Sequence, residues 1–115
     1  MSLENQNCVP CQGGIPALSR AEAERFLVDL PKWTLEGGAT RIRRRYAFPD
    51  FVSALAFINR VGEVAEAQGH HPDITFGWGY AEVVIFTHKI AGLHENDFIL
   101  AARVPRGIRP AVHAS

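Results

Sequence analysis

The sequence predicts an α+β domain: a four-stranded antiparallel sheet with three helices on one face, in the order α-β-β-α-β-β-α. Three observations lead there. Three segments carry apolar residues at helical spacing, and four shorter ones alternate or run apolar in the manner of strands. The strands fall in two pairs, each joined by a glycine-bearing link short enough for a hairpin, Gly37-Gly38 and Gly79-Tyr80. The chain has 115 residues, 47% hydrophobic and 21% charged, which suits a single core.

Residues 1–17 form a leader with Pro10, Gly13, Gly14 and Pro16, and the folded domain is expected over 18–104. Ser19-Arg20-Ala21-Glu22 has the form of a capping box: the Ser19 hydroxyl can take the amide of Glu22, and the Glu22 side chain can reach back. The helix behind it sets Ala23, Phe26, Leu27 and Leu30 on one side and stops at Pro31. Lys32 to Glu36 reads as a short strand, and Gly37-Gly38 as a two-residue turn. In the next strand, Ala39 to Phe48, alternation puts Arg41, Arg43 and Arg45 on one face and Ile42, Arg44, Tyr46 and Phe48 on the other.

Asp50 is a good N-cap for the longest helix, Phe51 to Gln68, and Gly69 is the residue expected to end it in a left-handed turn. Its stripe is Phe51, Ala54, Leu55, Ile58, Val61 and Ala65. Val52, Ala56, Phe57 and Val64 widen that stripe beyond one sheet face, which predicts burial against a neighbouring subunit. Asp73 to Trp78 alternates as a strand, Gly79-Tyr80 reverses it, and Ala81 to His88 follows with Val83, Val84, Ile85 and Phe86 apolar on both faces. Glu95 to Val104 makes the last helix, with Phe98, Ile99 and Ala102 inward and acids in its first turn. Pro105 ends it, and 105–115 is a tail.

Composition excludes several classes. Lys and Arg total 12 against 12 Asp and Glu, so there is no general attraction for nucleic acid or acidic membrane. The run Arg41-Ile42-Arg43-Arg44-Arg45 is divided between two faces by strand periodicity and reads as a solvated sheet face. No apolar stretch approaches the roughly 18 residues a membrane span needs. The first residues lack both a basic start and an apolar signal core, so the cytoplasm is the expected compartment. Cys8 and Cys11 are the two cysteines; with no second pair and no helix directly behind them, they are expected to be reduced thiols in a flexible arm, a metal shared between subunits being the lesser alternative.

Chemistry concentrates between Glu66 and Asp97. Glu66 lies in the last turn of the long helix, His70-His71-Pro72 follows its end, His88 closes the last strand, and Asp97 begins the last helix. These element ends can meet at one rim of the sheet. Imidazole titrates near neutrality, and a hydrogen-bonded carboxylate fixes its tautomer, so the set suits proton transfer. His70 and His71 are adjacent in extended chain and point opposite ways, so they need not share a role; Pro72 stiffens the segment. A three-histidine zinc site is the competing reading. It is disfavoured by the neighbouring His70 and His71 and by the lack of an HExxH helix, so no metal is expected. Neither cysteine lies in the cluster and no serine stands in a G-x-S-x-G elbow, which disfavours nucleophilic catalysis further still.

The spacing Glu66, His70-His71-Pro72, Trp78, His88, Asp97, with the Gly92 to Phe98 opening of the last helix, resembles the pterin-4a-carbinolamine dehydratase family over about Pro16 to Val104. The Cys8-x-x-Cys11 leader resembles that of some bacterial members. The resemblance implies 4a-hydroxytetrahydrobiopterin dehydratase activity. Water is removed from the 4a-carbinolamine to give quinonoid dihydropterin, without metal or cofactor, recycling tetrahydropterin for an aromatic amino acid hydroxylase such as phenylalanine hydroxylase. It implies proton transfer by His70 and His88, pterin binding by His71 together with Thr87 and Trp78, orientation by Glu66 and Asp97, and a homodimer or homotetramer. His94 departs from the Ser or Thr that often begins this helix and puts the helix cap in question. Some members of the family are protein-binding coactivators, and divergent relatives are linked to molybdopterin metabolism or enzyme assembly. A pure scaffold would not need His70, His71 and His88 together.

Overall fold

The computed structural model describes residue 3 and residues 16–104. Helix α1 (Arg20–Leu27) begins in the complete capping box of Ser19 and Glu22. Strands β1 (Thr34–Glu36) and β2 (Arg41–Ala47) precede the long helix α2 (Phe51–Gln68); β3 (Asp73–Gly77), β4 (Tyr80–Ile85) and α3 (Glu95–Arg103) complete the order α-β-β-α-β-β-α. All pairings are antiparallel and the sheet order is β1-β2-β4-β3. Strand β4 therefore lies between β2 and β3, and α2 carries the chain across it. The two cysteines, the leader apart from Leu3, Pro16 and Ala17, and the tail lie outside the described residues.

Alternation divides the sheet cleanly. Ile42 and Tyr46 on β2 and Ala81, Val83 and Ile85 on β4 are buried, joined from β3 by half-buried Ile74 and Phe76. Helix α2 covers this face with Ala54, Phe57, Val61 and Ala65, and α3 adds Phe98, Ile99, Leu100 and Ala101. Helix α1 packs on α3, where Phe26 stacks on Phe98 at 4.8 Å. The opposite face is a charge ladder: Arg43 pairs with Glu36 at 2.6 Å and with Glu82 at 2.9 Å, and Arg45 reaches Glu82 at 3.4 Å. Arg44 is the exception on its strand, lying on the core side over the Tyr46 ring at 4.3 Å. Each arginine thus sits on the face that strand periodicity assigned to it.

Several boundaries differ from the sequence reading. The β1–β2 register pairs Glu36 with Arg41, so the loop has four residues, not two. Ala39 follows Gly37 and Gly38 into positive φ, at 69°, and the strand cannot begin before that run is over. Strand β3 stops at Gly77 because Gly77 pairs with Tyr80. Trp78 is therefore a turn residue, and Gly79, at φ 85°, supplies the positive angle. Along α2 the buried line runs through Ala54, Phe57, Val61 and Ala65, leaving Phe51, Val52 and Leu55 exposed.

Strand β4 ends at Ile85, three residues before His88. Thr87 pairs with Gly92 instead, closing a loop that holds a one-turn 3-10 helix at His88–Ile90. The N-terminus of α3 is capped after all. The His94 ring accepts the Asn96 amide through Nδ1 at 3.0 Å, and the Asp97 carboxylate takes the His94 backbone N–H at 2.8 Å.

Candidate active site

Three chain segments reach the same end of the sheet because two of them stop there for local reasons. Gly69, at φ 65°, ends α2, and the amides of Gly69 and His70 fold back onto carbonyls of its last turn. His70-His71-Pro72 then runs out toward β3, whose first residue, Asp73, pairs with Val84 near the end of β4. Just beyond that end, Thr87 turns inward, in phase with Ala81, Val83 and Ile85. Asp97 meets it from the first turn of α3.

Asp97 is the centre. It is fully buried and receives three polar partners: the His94 N–H and the Thr87 hydroxyl, each 2.8 Å from Oδ2, and His70 Nε2, 2.5 Å from Oδ1. A buried carboxylate without such donors would cost several kcal/mol, so the set is required for folding as much as for function. An ionised carboxylate only accepts, which assigns the proton of that contact to His70 Nε2 and leaves Nδ1 as the ring nitrogen free to take a proton. The His70 side chain is 12% exposed.

His71 leaves the chain on the other side. Its Nε2 lies 2.5 Å from Glu66 Oε2, and the two side chains are 60% and 77% exposed. One imidazole is thus sheltered and held by a buried acid, while its neighbour is solvated and paired with a surface acid. An exposed pair of this kind contributes about 1 kcal/mol or less. Its value to the site is orientation.

His88 is exposed on the 3-10 turn, next in sequence to Thr87 and so one residue from a group that shares Asp97 with His70. Its ring stacks on Phe86, centroids 4.2 Å apart with a 29° angle between planes. Trp78 does not join the cluster. It sits at the β3–β4 turn, 72% exposed, with the whole length of β3 between it and His71. Thr87 is 3% exposed, with its hydroxyl committed to Asp97 and its backbone N–H and carbonyl bonded to Gly92. Among the described residues no three His, Cys, Asp or Glu side chains form a group able to hold a metal ion. A cleft of about 750 Å³ lies elsewhere, lined by Leu30, Trp33, Arg44, Ala101 and Val104, and includes none of these histidines. No helix among the described residues is long and apolar enough to cross a membrane.

Two contributors have weak sequence signals. Phe86 reads as a strand residue of a doubly apolar segment, and its place two residues before His88 is the available signal. His94 reads only as an unusual cap. The pattern His94-x-x-Asp97 has the capping-box spacing, hidden because histidine is not among the usual capping residues.

Chemically, the arrangement offers imidazoles able to give and take protons, one of them with its tautomer dictated by a buried carboxylate. Known proteins resemble this chain over most of its length. The sequence profile described as pterin 4 alpha carbinolamine dehydratase matches residues 16–106. A protein of Halorhodospira halophila named "putative pterin-4-alpha-carbinolamine dehydratase" is 61% identical over 104 residues, 90% of this chain and 95% of its own length. One of the same name from Methylococcus capsulatus is 56% identical over 103 residues, 90% of each chain. Among solved structures, a transcriptional coactivator/pterin dehydratase from Brucella melitensis superposes with a TM-score of 0.71 at 28% identity, covering 76% of this chain and 94% of that one. A pterin dehydratase-like protein identified as a RuBisCO assembly factor in the alpha-carboxysome gives 0.55 at 27% identity, covering 64% and 84%. With the whole described domain matched at such identity, the chain belongs to the pterin 4 alpha carbinolamine dehydratase family.

Proposed function

We propose that this protein is a 4a-hydroxytetrahydrobiopterin dehydratase, a hydro-lyase that returns the spent pterin of an aromatic amino acid hydroxylase, such as phenylalanine hydroxylase, to a reducible form. The observation that carries the reading is His70 held through Nε2 by buried Asp97, with His71 paired to Glu66 and His88 next in sequence to Thr87, which shares that carboxylate. In the reaction the C4a–O bond breaks as the hydroxyl takes a proton and leaves as water. The N5 proton goes to a base, and the N5–C4a double bond of the quinonoid dihydropterin forms. His70, with Nδ1 available, and His88 serve as the acid and base. His71, oriented by Glu66, binds the pterin. Positioned acid–base groups supply roughly 10²–10⁴-fold each, enough to outpace a step that water performs slowly. No metal or cofactor takes part, the compartment is the cytoplasm, and the working form is a homodimer or homotetramer.

The test is stopped-flow decay of the 4a-carbinolamine with and without purified protein, before and after chelator treatment. Acceleration insensitive to chelator is expected; activity abolished by chelator and restored by zinc would transfer the histidines to a metal. His70→Ala and His88→Ala should each lower kcat by roughly 10²–10⁴-fold, and His71→Ala should mainly raise KM. Wild-type turnover in both His70→Ala and His88→Ala would remove their assigned roles. A second reading, protein-binding scaffold, is favoured by the likeness to a coactivator and an assembly factor and by the exposed Phe51, Val52 and Leu55 on α2. Absence of any acceleration by the wild-type protein would favour it.

A further inference from the structure

We infer that Phe86 and Thr87 are positioning residues, one for each of the two histidines assigned to proton transfer: Thr87 acts on His70 through Asp97, and Phe86 acts on His88 by stacking. The inference rests on the dehydratase reading. It comes from two neighbouring side chains at the end of one strand. The backbone at Thr87 is extended, φ −100° and ψ 109°, so residues 86 and 87 leave on opposite sides. Thr87 is buried like Ala81, Val83 and Ile85; Phe86 leaves the strand on the other side and packs half-buried against the margin of the core.

On the inner side, the Thr87 hydroxyl and the His94 amide both donate to Oδ2 of Asp97 at 2.8 Å, which leaves Oδ1 for His70 Nε2. Two donors on one oxygen fix the rotation of the carboxyl group about its own axis, and that rotation sets where the second oxygen meets the imidazole. Thr87 is itself anchored by reciprocal backbone bonds with Gly92, at 2.9 and 3.4 Å. Gly92 sits so close to Ala17 that a Cβ there would come within 2.6 Å of the Ala17 Cβ. The hydroxyl is therefore presented from a rigid bridge and not from a free loop end.

On the outer side, His88 has no side-chain hydrogen bond among the described residues, and the stack on Phe86 at 4.2 Å is what orients its ring.

The test pairs steady-state carbinolamine dehydration with 15N–1H correlation spectra of the imidazoles in ligand-free protein. Thr87→Val is expected to lower kcat at least about tenfold, the worth of one hydrogen bond to a charged group, with KM nearly unchanged. It should move the His70 ring signals and leave those of His88 in place. Thr87→Ser should restore both readouts. Thr87→Cys, a similar size with a weaker donor, stands in if Thr87→Val does not fold. Phe86→Leu is expected to lower kcat by about two- to tenfold and move the His88 signals alone, with Phe86→Tyr restoring them. A raised KM with kcat retained in Thr87→Val would make Thr87 a substrate contact and overturn its assignment. Unmoved ring signals in either variant would overturn that arm. If the wild-type protein is inactive, the dehydratase reading falls while the spectra still decide whether these residues orient the rings.

Discussion

Asp97→Asn preserves size and shape and inverts the hydrogen-bonding demand on His70. In the wild-type protein Oδ2 faces two donors, the His94 N–H and the Thr87 hydroxyl, and Oδ1 faces His70 Nε2. The asparagine amide has one acceptor. Turning its NH₂ toward the two donors would leave buried polar groups unpaired at roughly 1–3 kcal/mol each, so the oxygen takes the Oδ2 position. The NH₂ then confronts His70 Nε2, which must accept, and the ring shifts its proton to Nδ1. The nitrogen that was free to take a proton is lost. The corresponding exchange in Ser-His-Asp hydrolases costs about 10⁴-fold by this wrong-tautomer route, and roughly 10²–10⁴-fold in kcat is expected here. Replacing hydrogen bonds to a charge by neutral ones should also cost roughly 1–3 kcal/mol, a fall in Tm of roughly 5–20 °C for a domain of this size. Stopped-flow kinetics, imidazole 15N shifts and a thermal melt read the three consequences separately. A folded Asp97→Asn protein with wild-type kcat, or with His70 still protonated on Nε2, would refute the reasoning.

Other substitutions probe the frame. His94→Ala removes the ring that caps α3 and should cost about 1 kcal/mol by denaturant titration, whereas His94→Ser should retain most of it, since serine is the better cap. Among the described residues the buried Tyr46 hydroxyl has no hydrogen bond within ordinary geometry, its nearest polar neighbour being the Arg44 guanidinium over the ring, so Tyr46→Phe should be near neutral, within about 1 kcal/mol. Burial pushes the Tyr46 phenol up to about 12, so its contribution is complete below the unfolded value near 10 and is lost as pH rises from there toward 12. Tyr46→Phe should lose that alkaline decline, as equilibrium unfolding at pH 9 and 11 would reveal. Light scattering at micromolar concentration should return a dimer or tetramer, because Phe51, Val52 and Leu55 leave an apolar face of α2 in solvent. A stable monomer would mean that this face is simply solvated.

Much of the frame was legible from short-range rules. The Ser19 and Asp50 caps, the left-handed Gly69 and the face assignments of Arg41 to Arg45 depend on neighbours within about four residues, and sequence contains those neighbours. The turns were less legible. Nothing local announced that Ala39 would join Gly37 and Gly38 at positive φ, or that Thr87 would prefer Gly92 to the continuation of β4. The second choice is what moved His88 off the strand.

The sequence by itself determined the order of elements and which residues are candidates for proton transfer, because helix caps, alternation and side-chain chemistry belong to a residue and its near neighbours. It also determined that His70 and His71 face apart, since that follows from extended geometry. Only the tertiary structure decided which acid serves which ring: Asp97 holds His70 across 27 positions, and Glu66 holds His71 from the preceding turn. It likewise took Trp78 to the far end of β3 and set Phe86 against His88. Those outcomes depend on the β3–β4 register and on where α3 docks. Both are set by the packing of the whole core, which no local window contains.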